Sequence, residues 1–162
     1  MATCPDLLFH PGGIEFFVHG VRCFVRGEPR SALNFIPIVD FGLALLQLQR
    51  PICLFMDLGS TDFGANKLLG GYYELSCSQG GMLFHGIFLN LDVPSRVRLH
   101  HPLAGTIFHE LAHAAQAEKV GSPAAWKDYV RRQRAIPYVS RPMEVEARNF
   151  AASSLRKFLA CV

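Results

Sequence analysis

The ten residues Thr106-Ile107-Phe108-His109-Glu110-Leu111-Ala112-His113-Ala114-Ala115 constrain this chain more than any other stretch. Apart from two histidines and one glutamate they are uncharged and helix-compatible, as a helix running through a domain core requires. Residues four apart lie on one helical face, so His109 and His113 can converge on a single ion. Glu110 is set to reach a water beside the metal and not the metal itself. With 7 histidines in 162 residues, chance yields such a pattern in about one per cent of chains, so it is read as a metal site.

The rest of the sequence builds a frame for that helix. At 162 residues, 50% of them hydrophobic and 18% charged, the chain suits one domain, residues 1–162, with a core that needs no disulfides. Two segments flank His19-Gly20 as a hairpin, Ile14 to Val18 and Val21 to Val25. Ser31 to Gln49 reads as a helix whose apolar face holds Leu33, Ile36, Val39, Phe41, Leu45 and Leu46, with Pro37 confining its start. Pro51 then stops it, and Ile52 to Leu58 follows as a buried strand. Tyr72 to Cys77 and Met82 to Leu91 are strand candidates joined through Ser78-Gln79-Gly80-Gly81. Three helices come next: Pro102 to Ala117, Ala124 to Arg134, and Met143 to about Leu159, separated by Gly121-Ser122-Pro123 and by Pro137 and Pro142. Residues 1–100 are thus mostly sheet with one helix and 101–162 are helical, an α+β plan.

Charge and cysteines narrow the function classes. A net charge of +3 is too mild for a nucleic-acid binder, and Arg131, Arg132 and Arg134 read as a solvated helix face. Cys4, Cys23, Cys53, Cys77 and Cys161 form no C-x-x-C pair, which favours free thiols in a reducing, cytoplasmic setting. The first residues lack a basic stretch followed by an apolar one, so no secretory signal is expected. Leu33 to Met56 is apolar but is broken by Pro37, Asp40, Arg50 and Pro51, and it reads as core, not as a membrane span.

A hydrolytic zinc site keeps three protein ligands and one open position. The third ligand does not follow His113 directly. Gln116 and Lys119 stand where a metzincin carries Gly and His, which excludes that subclass. The last helix offers Glu144 and Glu146, which cannot both face one ion. Its apolar residues Met143, Ala147, Phe150, Ala151, Leu155 and Phe158 define a packed direction. Glu144 lies roughly 50° from it and Glu146 roughly 110°. Periodicity therefore favours Glu144. Glu146 is left as a solvent-facing charge or a partner that orients a ligand histidine.

His109-Glu110-x-x-His113, followed by Glu144-x-Glu146-Ala147-x-x-Phe150-Ala151, resembles the gluzincin metallopeptidases. In size the chain is similar to the minigluzincins, and the second motif resembles the ImmA/IrrE-type peptidases. The likeness spans residues 50 to 160 in layout and only the two motifs in detail. It implies a zincin-like fold, Zn2+ held by His109, His113 and Glu144, and a peptide or protein substrate. Glu110 would take a proton from a zinc-acidified water and return it to the leaving amine. It also implies that Met82 to Leu91, carrying His85, Gly86 and Ile87, is a sheet edge open to an extended peptide; an ordinary core strand is the competing reading. The sequence departs from the gluzincin Glu-x-x-x-Asp pattern at Arg148, so the contact that Asp makes to a ligand histidine is either missing or supplied by Glu146.

Tyr138 leads the candidates for stabilising an oxyanion, ahead of Arg148, His100 and His101. His10, His19 and His85 lack ligand spacing and are assigned structural roles, and Cys4 is a remote candidate for an inhibitory thiolate. Two other classes compete with an endopeptidase. One is a metal-binding regulatory or antirestriction-type module without turnover, which has no need of Glu110. The other is a peptidase acting on nucleic-acid-bound proteins through the Arg131 to Arg134 face.

Overall fold

Strand formers and helix formers separate along the chain, and the computed structural model follows that division. It describes residues 14–19, 21–26, 29–57, 70–76, 83–90 and 101–161. Among these residues five strands form one sheet: β1 (Ile14–Val18), β2 (Val21–Arg26), β3 (Ile52–Asp57), β4 (Gly70–Ser76) and β5 (Leu83–Asn90). Four helices accompany them: α1 (Pro29–Leu45), α2 (His101–Val120), α3 (Pro123–Gln133) and α4 (Pro142–Leu159). A 3-10 turn, Tyr138–Ser140, precedes α4.

The sheet order is β1-β2-β3-β5-β4. β2, β3 and β5 run parallel, while β1 and β4 are antiparallel to their neighbours. The expected hairpin is present, with Val18 opposite Val21 and His19 at φ 49. The edge expectation for Met82 to Leu91 is overturned. β5 lies inside the sheet between β3 and β4, and among the described residues the edges are β4 and β1. Composition agrees: Phe84, His85, Ile87 and Leu89 are all buried, as befits a strand covered on both faces. The gluzincin resemblance had implied an edge, but β4 pairs back along β5 and takes the outer place. The Ser78 to Gly81 connection lies outside the described residues.

α1 also departs from expectation. It begins at Pro29 and passes through Pro37, whose missing N–H lies on an exposed side of the helix. Its buried residues include Phe35, Ile38, Val39 and Leu43, while Leu45 is exposed. Gly42 brings α1 against α2, since a Cβ there would lie 2.5 Å from Leu111 Cδ1 and 3.2 Å from Phe108. Gly70 does the same for β4, with Thr106 Cγ2 at 2.6 Å and the Phe88 carbonyl at 2.9 Å from a built Cβ. The core is completed on α2 by Ala104, Ile107, Phe108, Leu111 and Ala114, recurring at helical spacing. Phe41, Phe108 and Phe158 join α1, α2 and α4 through ring contacts of 5.4 to 6.0 Å. No described helix is long and apolar enough to cross a membrane. Among the described residues Cys23, Cys53 and Cys161 form no disulfide; Cys4 and Cys77 lie outside the described residues.

A polar clamp ties the sheet to the end of α2. His85 is fully buried, with Nε2 2.9 Å from Glu118 Oε1 and Nδ1 2.8 Å from the Tyr72 hydroxyl. Glu118 also accepts the backbone N–H groups of Gln49 and Arg50 at 2.7 to 2.9 Å. Arg50 bridges to Glu74 at 2.8 Å and to the Gly121 carbonyl at 2.7 Å. Burial pushes the His85 pKa down, against Glu118 and with help from Arg50. Burial acts upward on Glu118, but its donors His85, Arg50 and Gln49 outweigh it and hold that carboxyl below its ordinary value.

Both groups thus bind protons less readily folded than unfolded. Their contribution is complete above the unfolded histidine value of 6.5 and is lost as pH falls below it. The thermal midpoint should decline from pH 7 towards 5, more steeply in wild type than in His85→Gln; parallel curves for the two proteins would contradict this assignment.

Candidate metal centre

α2 presents His109 and His113 on one face, their Nε2 atoms 3.1 Å apart and their rings nearly perpendicular at 88°. The Tyr72 ring of β4 and the Trp126 ring of α3 each stand 6.4 Å from the His113 ring and flank it. The third group arrives from α4. That helix starts at Pro142, and its Met143 N–H is accepted by the buried Gln133 Oε1 of α3 at 3.1 Å. An N–H that the helix itself cannot satisfy is thereby paired, and the first turn, which carries Glu144, is fixed against α3. A carboxylate there is also favoured by the helix dipole.

Glu144 Oε2 lies 3.2 Å from His109 Nε2 and 3.6 Å from His113 Nε2. The donor atoms of the three residues fall within 4.8 Å of one another. Glu144 Oε2 is also a buried polar atom with no hydrogen-bond partner among the described residues. An unpaired buried oxygen costs free energy, and here it faces two imidazole nitrogens. A cation bound by all three would supply what Oε2 lacks, so the residues present fit a metal ion. Burial drives the Glu144 carboxyl upward, but His109, His113 and the Tyr138 hydroxyl beside it hold it far below the ordinary carboxylate range.

Glu110 is buried, 6% exposed, on the turn between the two histidines. Burial pushes its pKa up, and the nearby Glu144 adds to this, while His113 and His109 pull it down. Tyr138, half-exposed on the 3-10 turn, stands beside the Glu144 carboxylate. Burial and that carboxylate push its hydroxyl up to about 12, so it is a proton donor at neutral pH. Arg141 lies 5.5 Å from the Tyr138 ring centroid. Arg148 Nη2 donates to the Val139 carbonyl and so fastens this turn to α4.

The helix-face choice between the two glutamates agrees with the geometry: Glu144 joins the histidines and Glu146 does not. Glu146 instead accepts a hydrogen bond from Gln116 Nε2 at 2.9 Å, and Gln116 Oε1 lies 2.8 Å from His113 Nδ1. The contact expected from Glu146 to a ligand histidine is therefore made by Gln116. Only its spacing of three from His113 hints at this in the sequence. Cys4, His10 and His100 lie outside the described residues, as does the side chain of His101. His19, 3.2 Å from Asp40, is remote from the cluster.

No family model, curated protein or solved structure matches this chain. The site therefore stands on its own donor set.

Proposed function

We propose that this chain is a zinc-dependent hydrolase of gluzincin type, an endopeptidase acting on peptides or proteins. The observation that carries the reading is the convergence of His109 Nε2, His113 Nε2 and Glu144 Oε2 beside the buried carboxyl of Glu110. Two imidazoles and one carboxylate, leaving a coordination position free, are the ligand set of a hydrolytic zinc site. Bound there, zinc would acidify a water molecule and polarise a substrate carbonyl.

The protein's own groups supply the remaining steps. Glu110 accepts the water's proton and passes it to the leaving amine, and burial with little competing solvent favours a base of raised pKa for that transfer. Tyr138, protonated at neutral pH, is the donor available to a developing oxyanion. β4 supports the peptide assignment: of the two edge strands among the described residues, β1 and β4, it is the one that lies against α2, at Gly70, and it is antiparallel to β5. An extended substrate can add to such an edge through main-chain hydrogen bonds.

The test is cleavage of a peptide library by metal-stripped protein before and after addition of one equivalent of zinc. Cleavage that appears only with zinc supports the reading. Bound zinc without cleavage of any peptide in the library would overturn the peptidase assignment.

A further inference from the structure

We infer that Gln116 is a positioning residue: it holds His113 as the Nδ1–H tautomer and so leaves the Nε2 lone pair directed at the metal centre. The inference rests on the metal-site reading above and adds the group that prepares one ligand before any ion arrives.

The orientation of the Gln116 amide follows from its partners. Its nitrogen lies 3.0 Å from the Met143 carbonyl and 2.9 Å from Glu146 Oε2. Both are acceptors, so both need N–H donors, and only the NH2 end of the amide provides them. The oxygen end must then face His113 Nδ1, at 2.8 Å. An amide oxygen can only accept, so the proton sits on Nδ1. In a neutral imidazole that leaves Nε2 bare, the nitrogen that lies 3.1 Å from His109 Nε2 and 3.6 Å from Glu144 Oε2. Gln116 is buried, 7% exposed, so water does not replace these bonds cheaply.

The same amide couples two helices. It belongs to α2, yet both acceptors of its NH2 group belong to α4, and Met143 immediately precedes Glu144. One side chain thus sets the proton on a ligand histidine and the register of the turn bearing the third ligand. Metal-binding histidines elsewhere rely on a carboxylate or a carbonyl for their second nitrogen. Here a carboxamide takes that place, with Glu146 behind it.

The test combines long-range 15N–1H correlation spectra of the zinc-free protein at neutral pH with zinc affinity from chelator competition. In wild type, His113 should be protonated at Nδ1. Gln116→Met, near in volume but without polar atoms, should shift His113 towards the Nε2–H form and weaken zinc binding roughly 10- to 100-fold. Glu146→Ala, at an exposed position, removes one acceptor while the Met143 carbonyl still orients the amide. It should keep the tautomer and lose less affinity.

A wild-type His113 protonated at Nε2 overturns the inference, and so does Gln116→Met with tautomer and affinity both unchanged. The wild-type spectrum needs no variant to fold and no metal to bind. Failure of wild type to take up zinc would count against the hydrolase reading alone.

Discussion

Glu110→Gln should abolish hydrolysis while leaving zinc binding and the fold intact. The side chain is buried between His109 and His113 along α2 but is not among the three groups whose donor atoms converge. An amide of the same shape fills the same space and cannot take up a proton at this pH. General-base catalysis is worth about 10²- to 10⁴-fold, so kcat should fall by at least the lower figure. Zinc content per chain should stay at the wild-type value. The measurement is kcat on any peptide found to be cut, with metal analysis of the same preparation. Undiminished kcat would remove Glu110 from the chemistry. Loss of zinc together with loss of activity would instead make it a ligand.

The second large effect separates the two glutamates of α4. Glu144→Ala should remove most of the zinc affinity, and Glu146→Ala should remove far less. Structural zinc sites gain about 10–16 kcal/mol from four ligands, about 3 kcal/mol for each. At about 1.4 kcal/mol per tenfold, Glu144→Ala should weaken binding on the order of a hundredfold or more. Glu146 touches the site only through Gln116, so its loss slackens one ligand without deleting it. Zinc-dependent stabilisation reports the same difference, because an ion that binds only the folded state raises the midpoint of thermal unfolding. Wild type and Glu146→Ala should gain stability on adding zinc, and Glu144→Ala should gain little. The reverse order would exchange the roles of the two residues.

These outcomes depend on features that differ in how far they could be read from residues alone. The pairing of His109 with His113 is local: four residues along one helix meet wherever that helix packs. Glu144 is nearly as legible, since the packed stripe of α4 defines a direction and only one of two candidates lies near it. The position of β5 was not legible. Whether a strand lies inside a sheet or at its edge is decided by partners distant in sequence, and the likeness in chain order pointed to the wrong strand. α1 shows the same limit, since its buried face meets α2 at Gly42 and includes Phe35, Ile38 and Leu43 while Leu45 is exposed.

Polar partnerships were the least visible. His85 has no ligand spacing, and nothing in its neighbourhood along the chain announces Glu118, which lies 33 residues away. Gln116 looked informative only as the residue that is not a metzincin glycine. Its role arises because α4 crosses α2 at a point where Met143 O and Glu146 face the same amide. Arg148 likewise departs from the gluzincin pattern in sequence, and in space it secures the turn carrying Tyr138.

X-ray absorption at the zinc edge, on protein loaded with one equivalent of zinc, tests the metal centre most directly. Nitrogen and oxygen neighbours at about 2.0–2.2 Å, with the scattering pattern of two imidazoles, are the expected result. Sulfur at about 2.3 Å, or a shell lacking imidazole, would show that His109, His113 and Glu144 do not form the site.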